Sequence, residues 1–255
     1  MKHSYLKTLF LPVIFFLASL TAAAQEKKDN IIKLNVPALI FKNFSLQYEK
    51  AVGKKQSFAV AVRFRPESSI PFQSIAEKWV DDNSIRVDLG RIGNFGITPE
   101  YRFYFSKKGA TNGFYIGPFI SYNHYSGKVP INYNDYDDVN NVSIERTAVF
   151  KGSVNSFTGG FQLGAQWKLS NKISLDWWIA GPNYGISKGD FDFAGTLNDI
   201  EEISMDYELN KIKATIPLIK VKDINVRQDG SGASFKIDGP WAGIRAMGIC
   251  IGYRF

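Results

Sequence analysis

His124 and Ser126 have the residue types and the spacing of a general base and a nucleophile. A histidine that takes the proton of a serine hydroxyl turns it into an attacking oxygen, provided a carboxylate holds the imidazole in place. The nearest candidates for that carboxylate in the sequence are Asp138 and Glu145. Once His3 is set aside with the leader described below, any such chemistry must use His124. Residues 132–138, Asn-Tyr-Asn-Asp-Tyr-Asp-Asp, gather oxygen ligands of the kind that hold calcium. The twelve-residue helix-loop-helix site requires Gly at its sixth position and Glu at its twelfth, and neither is present, so a solvated acidic tip is expected. The single Cys250 excludes an internal disulfide and a multi-cysteine metal site, and among its glycine neighbours it is expected to be buried and inert. No metal site, phosphate loop or cofactor motif is predicted.

The elements that must position these residues alternate large apolar side chains with small or polar ones, the period of a strand. Near the start, Ile32, Leu34 and Val36 oppose Lys33 and Asn35, and Phe44, Leu46 and Tyr48 oppose Ser45, Gln47 and Glu49. Further strands are predicted over 57–65, 95–105, 114–123, 157–169 and 173–179, and a closing one over 240–255, making eight. Tight connections at 52–55, 106–112 and 169–172 fall on one rim, whereas long ones at 66–94, 126–155 and 186–239 fall on the other. Pro99 and Pro118 each remove a ladder donor and are expected to mark bulges.

Lys2, His3 and Lys7 precede an uncharged stretch from Thr8 to Leu20 and the small residues Thr21 to Ala24, the layout of a cleaved signal peptide over 1–24. The remainder, 25–255, is expected to be one domain. It has no apolar run long enough for a spanning helix, so a membrane location requires a closed barrel, because lipid leaves open sheet edges unsatisfied. The charge of +7 falls to +5 without Lys2 and Lys7, and no basic block interleaved with aromatics supports nucleic-acid binding. Aromatic residues make up 15% of the chain, and a barrel in lipid places them in interfacial girdles.

By parity Lys33, Glu49, Arg63, Arg65, Glu100, Arg102, Lys168 and Asp176 point into the lumen. Isolated charges there would be costly, so a mutually paired network filling the barrel is predicted, with no diffusion pore. Parity counted from the terminus puts Arg245 and Trp241 on the outward face, Arg245 close to the outer interface, where its long stem can snorkel. In the outer connections, residues 71–80 carry Phe72, Ile75, Ala76 and Trp79 at helical spacing, and 199–213 carry Ile200, Ile203, Tyr207 and Ile212 on one side. Residues 219–227 and 234–237 flank a Gly-rich turn and read as a hairpin, so the last connection is expected to form a small cap.

The closing strand, with Phe255, Tyr253, Ile251 and Ile249 at alternate positions, resembles that of bacterial outer-membrane barrels, in which this pattern is the assembly signal. Over about 30–255 the chain resembles the small OmpA/OmpX-like eight-stranded proteins and, in texture, barrel families of Bacteroidota. The resemblance implies an all-β, antiparallel up-and-down transmembrane barrel in the outer membrane of a Gram-negative bacterium, with outer loops carrying short helices and a hairpin. It implies a non-enzymatic role in structure, adhesion or interaction, without a cofactor. The expected partners are outer-membrane lipid, the barrel-assembly machinery and other envelope proteins met through 71–80 and 199–213. One alternative is a subunit of a secretion or assembly complex. Another follows from His124-Tyr125-Ser126, which resembles the His-x-Ser of the lipid A deacylases, although Gly127 stands where that family has Asn.

Overall fold

A computed structural model describes residues 30–255 apart from 81–83, 138–139, 216–219 and 247; the leader expected over 1–24 therefore lies outside the described residues. The alternating segments form eleven antiparallel strands: β1 (Asn30–Asn35), β2 (Phe44–Ala51), β3 (Gln56–Ser69), β4 (Arg91–Tyr104), β5 (Gly113–Asp137), β6 (Val142–Lys168), β7 (Ile173–Ala180), β8 (Pro182–Ala194), β9 (Val221–Val226), β10 (Gly232–Ile244) and β11 (Gly248–Arg254). Three helices interrupt them: α1 (Val36–Ile40), α2 (Gln73–Val80) and α3 (Asp199–Thr215).

The sheet closes on itself over part of its height. Ladders join β1 to β6 in chain order, then β6 to β7, β7 to β11, and β11 back to β1. Above that ring the wall continues as β5, β6, β8, β10 and β9, and there the sheet is open beyond β9. The expected turns at 52–55, 106–112 and 169–172 all lie at the lower rim, linking β2 to β3, β4 to β5 and β6 to β7.

Eleven strands replace the eight expected, for two reasons. First, the strand predicted to end at 179 continues past a break as β8, and the closing strand is divided into β10, which ends at Ile244, and β11, which starts at Gly248. Both change parity at the break. Inward residues are Ser174, Asp176 and Trp178 below and Ser187 and Phe191 above; on the partner strand they are Gly248, Cys250 and Gly252 below and Phe235 and Ile237 above. One register is kept throughout, with Trp178 opposite Gly248 and Pro182 opposite Ile244, so the two strands turn over together. Second, the expected hairpin is present as β9 paired with β10, and adds a strand beyond the ring.

Residues 126–155, expected as a loop, instead extend β5 and β6 into one long hairpin. Its outward residues on β6 include polar Thr147, Lys151 and Ser153 beside the single apolar Val149 and make the segment loop-like in composition, while Ile131, Tyr133, Ala148 and Phe150 face in and are buried. Asn132 to Asp137 therefore lie on a strand, which corrects the acidic loop tip, and Asp138 lies outside the described residues. The bulges expected at Pro99 and Pro118 are absent: both sit in unbroken register, opposite Val60 and Phe161. Their rings fit the extended backbone, and the ladder lacks one donor at each.

A hydrophobic core forms above the ring, where Met205, Leu209 and Ile212 of α3 pack with Val221 of β9 against Ile131, Phe150, Phe191 and Phe235. The stripe expected on α3 is thereby divided, because Ile212 belongs to the buried face while Ile203 and Tyr207 are 73% and 67% exposed. At the start of α3, the Asn198 side chain accepts from the Glu201 N–H at 2.9 Å and Glu201 accepts from the Asn198 N–H at 2.9 Å, a reciprocal cap. Asn198 also donates to Asp135 Oδ1 at 3.1 Å, and Arg146 donates to Asp135 Oδ2 at 2.8 Å, tying the cap to the β5–β6 hairpin.

Leu209→Ala should cost about 2 to 5 kcal/mol of cap stability, the range for a buried leucine truncated to alanine. Limited proteolysis should then cut within α3 before the ring strands; equal protection of α3 in variant and parent would contradict this. The Asn198 hydrogen bond, with Arg146 beside it, holds the Asp135 carboxyl below its ordinary value. A depressed acid stabilises the fold above its unfolded pKa, about 3.9, and that stabilisation is lost as the pH falls through the folded value. Proteolysis of α3 should therefore accelerate below about pH 4, and Asp135→Asn should flatten that dependence.

Candidate functional site

The closed ring is filled by charge. Alternation along β1, β2, β4 and β7 turns Lys33, Glu49, Glu100, Arg102 and Asp176 inward, and all five are buried. Lys33 Nζ lies 2.6 Å from Asp176 Oδ2 and also pairs with Glu49. Arg102 uses its whole guanidinium: Nε meets Glu100 Oε1 at 2.7 Å, Nη1 meets Asp176 Oδ2 at 2.7 Å, and Nη2 donates to Gln47 Oε1 at 3.1 Å. Its plane lies 4.3 Å from the centre of the Tyr115 ring, whose hydroxyl donates to Asp176 Oδ1 at 2.9 Å. Tyr104 donates to Glu49 Oε1 at 2.6 Å, Ser57 donates to the same oxygen, and Gln166 Oε1 accepts from Lys33 at 3.0 Å.

Arg245 completes the set and corrects its expected place on the outward face. Its Nη1 lies 2.8 Å from Glu100 Oε2, its guanidinium is 3.9 Å from the Trp178 ring centre, and its side chain is only 8% exposed. The parity change between β10 and β11 turns it inward. It turns Trp241 the same way, its ring centre 5.4 Å from that of Tyr125 and tilted by 32°, where the alternation counted from the terminus had put it outside. With Arg245 the ion pairs join Lys33, Arg102 and Arg245 to Glu49, Glu100 and Asp176, three cations to three carboxylates, so that no carboxylate of the set is buried without a cation. Arg254, also turned inward and buried, lies below them and donates to Thr111 Oγ1 at 2.9 Å.

Three other residues expected in the network stand apart from it. Arg63 donates to Asn123 Oδ1 at 2.8 Å, above the ion pairs. Arg65 lies at the upper end of β3 and donates to Ser68 Oγ and the Ser69 carbonyl at 3.1 and 2.7 Å. Lys168 has inward parity but lies at the end of β6, exposed on the lower mouth with Lys54, Lys55, Lys107 and Lys108. Parity fixes the face of a residue and says nothing of its height in the ring, which is why these assignments failed. Gln47, Tyr104, Tyr115 and Gln166 had the correct parity, but carried no charge to draw attention to them.

β11 contributes space. A Cβ on Gly248 would lie 2.5 Å from Trp178, and on Gly164 of β6 it would lie 2.3 Å from Tyr115, so glycine is what lets the large groups meet. Cys250 is buried between Gly248 and Gly252.

His124 is on the outer face of β5, and its Nδ1 is 2.9 Å from Asn155 Oδ1, which also accepts from the Tyr122 hydroxyl at 2.7 Å. An asparagine thus occupies the place where an orienting carboxylate would be needed. Of the two carboxylates considered, Glu145 pairs with Asn134 far up the hairpin and Asp138 is outside the described residues. Among the described residues no cluster of three His, Cys, Asp or Glu side chains is arranged to hold a metal.

A protein family described as "Protein of unknown function (DUF3575)" matches residues 11–221. No curated protein and no solved structure matches the chain.

Asp176→Asn should cost about 3 to 5 kcal/mol, because it leaves buried cations under-neutralised. Thermal unfolding followed by Trp178, whose Nε1 donates to Asp176 at 3.3 Å, would measure it. The charge-balanced pair Lys33→Met with Asp176→Leu should be milder than Asp176→Asn alone. A single variant as stable as an exposed Asp229→Asn control would contradict the dependence on balance.

Proposed function

The chain belongs to the DUF3575 family of proteins of unknown function, and we propose that it is an eight-stranded outer-membrane β-barrel, sealed to ions, that acts through its capped outer end. The observation that carries this is the inverted interior of the ring: ion pairs inside, and outside a belt of Phe44, Phe64, Phe95, Phe157, Phe161 and Trp177, all exposed. In water such an exterior would be an aggregation hazard, whereas hydrocarbon is its natural solvent.

The strand count becomes nine when β7 with β8 and β10 with β11 are each taken as one strand with a break, a view favoured by their common register, and eight around the barrel once β9, the added hairpin strand beyond the ring, is assigned to the cap. Neighbours followed from Leu46 through β3, β4, β5, β6 and β8 end on Pro240, while those followed through β1 end on Ile251. The two endpoints lie eleven residues apart on the same strand. Such a stagger is what tilted strands need to close a barrel. Short turns below and the cap above match the periplasmic and outer ends of outer-membrane barrels, as in the OmpA/OmpX-like proteins. Outer-membrane lipid and the barrel-assembly machinery are then the partners, the latter reading Phe255, Tyr253, Ile251 and Ile249.

The lumen is too crowded for conduction, because Arg102, Tyr115 and Lys33 are wholly buried in it. What remains for function is the outer end. The exposed stripe of Ile200, Ile203 and Tyr207 on α3 favours a second form of the proposal, in which the barrel is a subunit docking other envelope proteins there. Deacylase chemistry at His124 and Ser126 has less support, given the asparagine partner of the imidazole.

The detergent-extracted protein should come from the outer-membrane fraction and migrate faster on a gel unboiled than boiled. In planar bilayers it should give no steady conductance. Identical migration with recovery in the soluble fraction would sink the barrel, and a stable open channel would sink the sealed lumen.

A further inference from the structure

Between the ionic ring and α3 lies a cavity of about 310 Å³ whose walls are almost wholly carbon, contributed by Ile70, Ile131, Val154, Phe235, Ile237 and Trp241 among others. Its volume is at the lower end of small-molecule sites, roughly 300 to 1,000 Å³. Walls of this kind offer no partners to hold water, and unfilled they forfeit dispersion contacts. A ligand that fills the space needs a hydrocarbon body and asks for no hydrogen bond there.

The wall beside the cavity is incomplete. The β1–β2 hairpin stops at Asn35 and Phe44 under α1, while β3 runs on to Ser69 and β10 rises above Gly248. Among the described residues no strand pairs with the upper part of β3 on that side or with the outer edge of β9, which leaves a gap in the sheet between them. Ile70, just past β3, and Ile237 and Trp241, on β10, line the cavity from the two sides of that gap. The exterior around it is carbon as well, with Leu39, Ile40, Phe44, Phe64 and Ile244 exposed. The charged residues lining the cavity are Arg86, Arg91 and Lys128, and no acidic residue lines it. Arg86 is paired with Asp88 and Lys128 with Glu67, which leaves Arg91, among the described residues, without an acidic partner.

We propose that this cavity binds the single hydrocarbon chain of an anionic amphiphile of the fatty-acid class, with the head group toward Arg91 and entry sideways through the gap above α1. The sideways route rests on the barrel lying in a membrane; the binding itself does not.

The test uses the full-length protein in phosphatidylcholine nanodiscs and a diazirine-bearing fatty acid as photoprobe, with labelled peptides mapped by mass spectrometry. Label should appear on peptides containing Ile237 and Trp241 and be competed by dodecanoate. Filling the space with Val154→Trp or Ala76→Trp should lower it by about fivefold or more, with Ile203→Ser as a folded control. Arg91→Gln should weaken competition by dodecanoate more than by dodecanol. Competition by dodecanoate alone identifies a free fatty acid as the source, and equal competition by lysophosphatidylglycerol identifies an anionic membrane lipid; both support the site, whereas equal competition by zwitterionic lysophosphatidylcholine overturns the anionic class. Absence of label from the cavity peptides, or label unchanged in both filling variants, overturns it. Label on the belt around Phe95 and Phe157 reports the membrane location separately. Cavity label without belt label would therefore retain the site and reject the barrel in lipid.

Discussion

Mutual pairing of buried charges inside a narrow ring is the condition on which the rest of the molecule depends. A carboxylate buried there without a cation in reach would have neither solvent nor partner, and the cost of such a charge is several kcal/mol even after relaxation. The structure meets the condition with Lys33, Arg102 and Arg245 against Glu49, Glu100 and Asp176, joined through Arg102 and the phenol groups of Tyr104 and Tyr115. Long side chains can converge only if some walls are bare, hence Gly164 and Gly248 where larger residues would collide. With the polar groups turned inward, alternation leaves the large apolar residues outside.

The same strands obey the opposite rule higher up. Along β6 the inward residues Ala148, Phe150 and Val154 give way to Ser156, Thr158, Gln162 and Gln166, while outward Thr147 and Lys151 give way to Phe157, Phe161 and Leu163. Polarity therefore reverses on both faces near Val154. Above that level the interior is an ordinary apolar core closed by α3, with water outside; below it the interior is ionic. A single solvent around the molecule would not account for both halves. A boundary between water and hydrocarbon at this height would, which is the physical content of the proposed membrane location.

This reversal also explains what could be read from the sequence. Strict alternation between Phe44 and Tyr122 made β2, β3, β4 and the lower part of β5 legible, with their faces, and the Gly- and Lys-rich turns fixed the lower rim. Five of the eight expected lumen charges meet in the network for the same reason. The upper hairpin reads as a loop because most of its outward residues, Thr147, Lys151 and Ser153 among them, are polar, and a strand with a short apolar interior and a largely polar exterior resembles a connection in composition. Arg245 and Trp241 were misplaced because parity was counted across a break that only the fold reveals. The cap helix was legible, but its stripe was not: nine residues at about 100° each place Ile212 opposite Ile203, so the helical angle itself puts Ile212 with buried Met205 and Leu209 and leaves Ile203 and Tyr207 on the exposed side.

The break ties these levels together. A change of parity in one strand alone would misalign its ladder, but here Pro182 pairs with Ile244 on one side of the break and Trp178 with Gly248 on the other, and between them the Arg245 N–H donates to the Gly181 carbonyl at 2.8 Å, so the pair crosses the break with its register intact. Gly181 must be small, since a Cβ there would lie 2.5 Å from Gln162 and 2.9 Å from the Arg245 carbonyl. Two consequences follow from that one irregularity. Below it, Arg245 enters the ring as the third cation and neutralises Glu100. Above it, Trp241, Ile237 and Phe235 face inward to line the apolar cavity, while Ala242 and Ile244 remain outside. Without the change of parity Glu100 would keep only Arg102 of its two cations and the upper chamber would lose one of its walls, so the step between the two interiors and the pairing at the top of the lower one come from the same few residues.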